Sequence, residues 1–231
     1  MNTFASRHKS TYLYGKERKK RIKETVEKSI AITSTQIRTI HFSNMKPKSA
    51  IRKCQEILKE MVVSKEINCM HYTKLQFFPS VYFINKKPEN WKHHVAVNEV
   101  LCQFVKQKPH LFKLEWKWSY GIYDGMILAD LFLIINYDPD GIKKQVIMIE
   151  VETDPRKRFD KDIKYQRVFE KDWHLDLPEW VVVNEKTNEA IFPDVLIVTD
   201  KEIEFKKTDV NFIIVSPDEV ATDAYKLIWK K

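Results

Sequence analysis

Residues 127–152 have the sequence ILADLFLIINYDPDGIKKQVIMIEVE, with one apolar run at 127–136 and a second at 145–152. The two apolar runs flank a turn predicted at 138–141, which indicates two adjacent strands, the first of them central in a sheet. Asp130 interrupts the first run, where a charge is costly unless it is paired or binds a cation. Glu150 and Glu152 are two residues apart, so they are predicted to lie on the same face of the second strand.

The carboxylates of these two strands are predicted to gather in one cluster, with Glu99 from a preceding helix as a further member. Mg²⁺ and Mn²⁺ prefer such oxygen ligands, and Asp130 and Glu150 are the predicted ligands. A metal held there would activate water and stabilise charge on a scissile phosphate, with Lys161 or Lys164 as a nearby cation. The structural alternative is that the strand ends in salt bridges to the basic residues that follow, Arg156, Lys157 and Arg158.

Helices and strands alternate through the rest of the second half, which predicts an α/β domain over 88–231. The longest nearly apolar run, 126–135, has ten residues and contains Asp130, so no membrane helix is expected. Helices are predicted at 93–105, 156–173 and 217–229, and further strands at 114–119, 181–183, 195–199 and 212–215. Phe159, Ile163 and Val168 are predicted to form part of the apolar face of the helix at 156–173.

The charge of the chain is unevenly distributed. The 231 residues carry a net charge of +8, yet residues 1–90 carry +12 and residues 91–231 carry −4. A basic first part beside a mildly acidic second part indicates a polyanionic partner, most often nucleic acid. Charge alone does not separate DNA from RNA or from an anionic membrane, and a solvated basic helix is the further alternative. The three cysteines, at 54, 69 and 102, have neither a disulfide-framework pattern nor a CxxC spacing, and no signal peptide is expected. A reduced, soluble, cytoplasmic protein is therefore expected.

The basic part has the pattern of three helices followed by a hairpin. The first helix is predicted from residue 17, the second after a cap at Ser34 or Thr35, and the third over 47–63 with Pro47 in its first turn. Strands at 74–78 and 81–84 are predicted to flank a tight turn. This order predicts a winged helix-turn-helix over 17–87, preceded by a flexible basic arm over 1–16. The predicted core positions of the three helices are Ile22, Val26 and Ile30, then Ile37 and Ile40, then Ile51, Cys54, Leu58 and Met61.

The third helix of a winged helix-turn-helix enters the DNA major groove with its N-terminal residues nearest the bases. The predicted DNA contacts lie on this helix and beside the hairpin: Lys48, Ser49, Arg52, Lys53, Lys59 and Lys74. The first two and the last would touch phosphates, whereas Arg52 and Lys53 are the candidates for base edges. The alternatives are a small helical bundle whose polar face is merely solvated, and a winged helix that binds protein.

Several short stretches give the sequence a resemblance to a known family. They are HHVAVNEVL (93–101), ADLFLII (129–135), IMIEVETDP (147–155), KDIKY (161–165) and PDVLIVTD (193–200). In their order and spacing, and together with the winged-helix region, they resemble the replication-relaxation family of plasmids and mobile elements in Gram-positive bacteria. That family joins an N-terminal winged helix to a degenerate nuclease domain of the PD-(D/E)XK type, so the resemblance implies a nuclease-like mixed sheet for residues 88–231.

The resemblance implies roles for individual residues. Asp130 takes the place of the first acidic strand residue of the nuclease fold, and Glu150 takes the place of the acid in the (D/E)XK strand. Glu99 matches the acidic residue on the first helix of that fold. Lys161 and Tyr165 match a helix-borne KxxxY, similar to the QxxxY of related nucleases.

Two departures from the nuclease pattern bear on activity. Glu152 stands where the motif has lysine, and Ala129 stands where proline precedes the first aspartate. Either the lysine has moved to the helix as Lys161, or a third carboxylate does its work, or the site is inactive.

Two functions are therefore expected as alternatives. The first is a DNA-binding protein of a plasmid or other mobile element that acts in replication, transfer or their regulation. It would bind duplex DNA through the winged helix, with the second domain available for homodimer formation, and it would need no cofactor. The second is a Mg²⁺- or Mn²⁺-dependent DNA endonuclease or nickase that uses Asp130, Glu150, Glu152, Lys161 and Glu99.

Overall fold

The computed structural model describes residues 3–71, 79–123, 125–137, 144–154, 159–171, 173–175, 182–183, 189–206 and 208–228, with side chains from residue 15 onward except that of Leu175. The chain divides into two compact units, 1–102 and 103–231. Helices and strands occur in both units, so the mixed α and β class predicted from the sequence is confirmed. None of the helices in the described ranges has the length and hydrophobicity that a bilayer-spanning segment requires.

The first unit contains three helices, a small sheet and the beginning of a fourth helix. In chain order the elements are α1 (Thr3–Lys28), β1 (Ile32–Thr33), α2 (Ser34–Phe42), α3 (Pro47–Val63), β2 (Asn68–Met70), β3 (Val81–Phe83) and α4 (Trp91–Gln107). The sheet is antiparallel and has the order β1-β3-β2, so β3 is its central strand.

Local signals in the sequence set the ends of α2 and α3. The Oγ1 atom of Thr33 accepts a hydrogen bond from the Gln36 N–H at 3.2 Å, and Gln36 Oε1 accepts from the Thr33 N–H at 3.0 Å. This reciprocal pair is a capping box, so the prediction of a cap at Ser34 or Thr35 is wrong and Thr33 caps α2. Helix α3 begins at Pro47 and ends at Val63, as predicted.

Two residues predicted for the core of the first unit are exposed instead. Helix α1 ends before Ile30, which has a φ of 64° and is 36% exposed, because the chain turns there to bring the buried Ile32 into the sheet. Ile51 is 39% exposed, because it lies about 100° around α3 from the buried Ala50. The buried face of α3 is formed by Ala50, Cys54, Ile57, Leu58 and Met61.

The predicted arm and hairpin lie only partly within the described residues. Helix α1 begins at Thr3, so the described backbone of the segment predicted as an arm is helical. The predicted strand 74–78 lies outside the described residues, and Lys74 with it. The strand predicted at 81–84 corresponds to β3, whose described neighbours are β1 on one edge and β2 on the other.

The beginning of α4, residues 91–102, belongs to the first unit, whereas the predicted boundary follows residue 87. Side-chain contacts explain this membership. Gln36 Nε2 donates to the Val95 carbonyl at 2.9 Å and to Glu99 Oε2 at 3.2 Å. Asn98 Nδ2 donates to the carbonyl of Ala31 at 2.9 Å. Glu99 is therefore a residue of the first unit.

The second unit is built around a mixed five-stranded sheet. The described strands of the second unit, five in this sheet and two in a separate ribbon, are β4 (Lys113–Ile122), β5 (Ile127–Asn136), β6 (Lys144–Val151), β7 (Val182–Val183), β8 (Ala190–Ile191), β9 (Asp194–Val198) and β10 (Phe212–Val215). Its helices are α5 (Asp162–Phe169) and α6 (Pro217–Ile228), with a 3₁₀ turn at Trp173–Leu175. The main sheet has the order β10-β9-β6-β5-β4, in which β4, β5 and β6 run antiparallel and β6, β9 and β10 run parallel. Strands β7 and β8 form a separate ribbon.

Strand β5 and helix α5 carry Asp130 and Tyr165, two of the residues singled out in the sequence. Strand β5 lies between β4 and β6, as predicted for a central strand, and most of its residues are buried. Helix α5 is shorter than the helix predicted over 156–173, and Phe159 is buried ahead of its first turn. Ile163, predicted for its apolar face, is 39% exposed because the buried positions are Asp162, Tyr165 and Val168. The buried face of α5 therefore carries a tyrosine hydroxyl.

Candidate functional site

Helix α3 presents a basic face to solvent. Five of the six predicted DNA contacts are exposed on it: Lys48, Ser49, Arg52, Lys53 and Lys59. These five residues lie outside the buried face of α3, which consists of apolar residues. The structure therefore brings these five side chains onto one element, whereas the sixth, Lys74, lies outside the described residues.

Glu56 contacts the two side chains that are candidates for base edges. Its carboxylate lies 3.7 Å from Nε of Arg52 and 3.4 Å from Nζ of Lys53. The side chain of Arg52 nevertheless keeps 81% of its surface exposed. Exposed pairs of this kind contribute at most about 1 kcal/mol, so both cations can exchange Glu56 for a phosphate or a base at little cost.

A buried carboxylate marks a second candidate site, in the second unit. Glu150 of β6 is fully buried, and both of its oxygens are engaged. Tyr165 OH donates to Oε1 at 2.6 Å, and the ammonium of Lys161 pairs with Oε2. Lys161 immediately precedes α5 and Tyr165 lies four residues on, so one side of the helix start directs both groups at the same carboxylate. We refer to Glu150, Lys161 and Tyr165 as the Glu150 cluster.

Asp130 of β5 reaches the end of β6 beside this cluster. The pairing of β5 with β6 stops with Leu131 opposite Ile149, and beyond it the Asp130 carboxylate accepts a hydrogen bond from the Val151 N–H at 2.8 Å. On the other side of β5, Ser119 has a φ of 47° where β4 passes Asp130. A non-glycine residue held in the left-handed region costs about 1–3 kcal/mol.

Glu152, predicted to share a face with Glu150, has different surroundings. It follows the last residue of β6, and its N–H donates to the carbonyl of Val198 at 3.0 Å. Its carboxylate lies 3.9 Å from Nζ of Lys201. The two glutamates therefore have separate lysine partners. Residues 156–158, the partners in the structural alternative, lie outside the described residues.

Burial and nearby charges shift the titration of the cluster. Burial raises the pKa of Glu150 from 4.5 to about 7, with Lys161 opposing the rise and Asp130 adding to it. Burial alone would lower the pKa of Lys161, but the surrounding carboxylates, Glu150 foremost, outweigh it and raise that pKa above 10.5. Burial and the charge of Glu150 hold the pKa of Tyr165 well above 10. At neutral pH the cluster therefore contains an ammonium, a phenol and a carboxyl group near its midpoint.

Comparisons of the chain with protein-family models, with curated proteins and with solved structures found no match. The most specific arrangements among the described residues are the contacts around Glu150 and the exposed face of α3.

The residues predicted as one acidic site belong to different parts of the structure. Asp130, Glu150 and Lys161 come together in the second unit. Glu99 contacts Gln36 in the first unit. Lys201 was not predicted, because the only sequence signal for it is a position just beyond a strand that turned out to neighbour β6.

The donor set around Glu150, as arranged, does not fit a divalent cation. The described part of the chain contains no group of three or more His, Cys, Asp or Glu side chains that could hold a metal. Both oxygens of Glu150 already accept hydrogen bonds, and Lys161 supplies the positive charge at one of them. Among the described residues, no buried side-chain nitrogen or oxygen lacks a hydrogen-bond partner. Binding of Mg²⁺ or Mn²⁺ by Asp130 and Glu150 would require Lys161 to move away.

Proposed function

We propose that this chain is a DNA-binding protein of a plasmid or other mobile element that acts in replication, transfer or their regulation. Its first unit binds duplex DNA as a winged helix-turn-helix. The observation that carries the proposal is the exposed basic face of α3, the third of three helices that precede the β2 and β3 strands. In this fold the third helix enters the major groove.

The proposed contacts on α3 divide by their chemistry. Lys48 and Ser49 lie in the first turn of the helix, where an ammonium and a hydroxyl both suit a phosphate oxygen. Arg52 lies one turn further and carries a planar fork that can donate to both major-groove acceptors of a guanine. Lys53 and Lys59 flank it as point charges. Arg52 is therefore the residue proposed to read a base.

Fluorescence anisotropy with a labelled duplex tests this proposal. Replacing Arg52 and Lys53 by alanine should weaken binding by roughly tenfold or more, since each specific contact contributes about 1–3 kcal/mol. The matched control, Lys226→Ala with Arg167→Ala, removes one lysine and one arginine from exposed positions of α6 and α5. The control should bind like the wild type, and unchanged affinity in the α3 variant would refute the winged-helix assignment.

A second candidate function is DNA cleavage at the Glu150 cluster, and one observation supports it. Two carboxylates, those of Asp130 and Glu150, are close enough to influence each other's charge, and the ammonium of Lys161 stands beside both. An ammonium in that position can stabilise charge that develops on a phosphate. Lys161 would then replace the motif lysine whose position is occupied by Glu152.

Incubation of supercoiled plasmid with Mg²⁺ or Mn²⁺ distinguishes binding from cleavage. Nicking that disappears in Asp130→Asn and in Glu150→Gln would establish a nuclease and assign its site, since both changes preserve the size of the side chain. Plasmid binding without nicking by any of the three proteins would leave DNA binding as the function and make the cluster structural.

A further inference from the structure

A groove between α1 and α3 in the first unit carries lysines that the predicted DNA contacts do not include. Its volume is about 780 Å³. We refer to it as the α1–α3 groove. It is lined on the α1 side by Lys16, Glu17, Lys19, Lys20 and Lys23, and on the α3 side by Lys53, Ile57 and Glu60.

The carboxylates that line this groove have partners of their own. Glu60 pairs with Lys19, and Glu17 accepts from Nε of Arg21 at 3.1 Å. Glu66, which also lines the groove, accepts from a neighbouring serine hydroxyl at 2.9 Å. Glu60 therefore offsets the charge of Lys19, whereas a serine hydroxyl leaves the negative charge of Glu66 in place. The five lysines of the lining still outnumber its three glutamates, so the groove is positively charged.

Those remaining lysines form a row. Lys16, Lys20 and Lys23 are exposed, and within the described ranges no carboxylate pairs with any of them. Spacings of four and three residues place them on one side of α1 over about 10 Å of helix axis. Each DNA strand carries one phosphate per about 3.4 Å of duplex axis, so a row of about 10 Å spans a length of duplex that carries several phosphates. A stretch of phosphodiester backbone fits this row better than a single small anion does.

Lys53 connects the groove to the basic face of α3. It lines the groove together with Ile57 and Glu60, which follow it by four and seven residues on the same side of the helix. It is also one of the proposed DNA contacts. A phosphate that reaches Lys53 from the exposed face of α3 therefore stands at the rim of the groove.

We propose that the α1–α3 groove binds the phosphodiester backbone of the same duplex that α3 contacts, through Lys16, Lys20 and Lys23. This inference rests on the proposed DNA-binding function and extends its interface to α1. Because phosphate contacts carry no base information, the groove adds affinity and salt dependence, and leaves sequence preference to α3.

Equilibrium binding to a labelled duplex at several salt concentrations tests the groove. The slope of log K against log salt is negative, and each phosphate contact makes it steeper by about 0.9. The double change Lys20→Gln with Lys23→Gln should therefore make the slope shallower by about 2. The ratio of affinities for two duplexes of different sequence should stay at the wild-type value. The matched control, Lys206→Gln with Lys226→Gln, removes two exposed lysines from the second unit and should leave the slope unchanged.

The outcomes separate this inference from the proposed function. An unchanged slope in the Lys20/Lys23 variant, beside weakened binding by the Arg52/Lys53 variant, would overturn the groove and leave the function standing. An equal fall in the Lys206/Lys226 control would assign the effect to net charge and also overturn the groove. A wild-type chain that does not bind duplex DNA would overturn both proposals.

Discussion

The buried carboxyl group of Glu150 should make the stability of the protein fall as the pH rises from 5 to 8. Burial raises its pKa from 4.5 to about 7, so between these values the folded chain holds a proton that the unfolded chain has released. Stability decreases with pH wherever the folded state binds more protons than the unfolded state. The stabilising contribution of the protonated carboxyl is therefore present near pH 5 and lost by pH 8. With a pKa of 4.5 in the unfolded chain and about 7 in the folded chain, the free energy of unfolding should fall by roughly 2–3 kcal/mol between pH 5 and pH 8.

The Glu150→Gln variant isolates this contribution because it keeps the size of the side chain and removes its titration. Urea unfolding followed by tryptophan fluorescence gives the free energy of unfolding at each pH, and Trp173 is buried in the core of the second unit. Other titrating groups affect both proteins equally and cancel in the comparison. From pH 5 to pH 8, the wild type should lose roughly 2–3 kcal/mol more than the variant.

Equal losses in the two proteins would refute this reasoning, because Glu150 would then have the same pKa in the folded and unfolded states. A larger loss in the variant would refute it in the opposite sense. In that case Lys161 and Tyr165 would outweigh burial, and the carboxylate would be stabilised in its charged form.

Three further changes have defined outcomes. Lys161→Met removes the counter-charge of Glu150, whose carboxyl group then takes up a proton one pH unit above its pKa of about 7, so the free energy of unfolding at pH 8 should fall by about 1.4 kcal/mol. Lys164→Met, at an exposed position of the same helix, is its control and should change that free energy by less than about 0.5 kcal/mol. Tyr165→Phe removes a 2.6 Å hydrogen bond to the carboxylate and should cost about 1.5–3 kcal/mol in the same urea experiment. Thr33→Ala removes the cap of α2 and should cost about 1 kcal/mol, and an unchanged stability would contradict the capping box.

Elements with an unbroken local signal were predicted with their observed bounds. Strand β5 was predicted at 127–136 because the apolar run is continuous, and α3 at 47–63 because Pro47 marks its start. Single positions were predicted less well, since adjacent apolar residues offer alternative faces of one helix. Ile51 was chosen where Ala50 is buried, and the position of Ile30 depends on a chain reversal that only the pairing of β1 with β3 explains.

Contacts between segments that are distant in the sequence are the part of the candidate sites that could not be predicted. Lys161 and Tyr165 were singled out together because they lie one turn apart, and both contact Glu150. The contact of Glu152 with Lys201 depends on which strand neighbours β6, and periodicity does not contain that information. The spacing of the α1 lysines in the sequence indicates that they form a row, but only the position of α3 in the structure shows that this row borders a groove.

The contrast between the two glutamate–lysine pairs bears on where a ligand would act in the second unit. The Glu150 carboxylate is fully buried and its pKa is raised to about 7, so at neutral pH a proton can replace Lys161 as its neutralising partner at little free-energy cost. The Lys161 side chain keeps 26% of its surface exposed, so an incoming phosphate can reach the ammonium that Glu150 would give up. Glu152 and Lys201, at 3.9 Å, form a looser pair for which no such exchange is built into the fold. If the second candidate function, DNA cleavage, holds, Lys161 is therefore the lysine of this unit that would contact the phosphate.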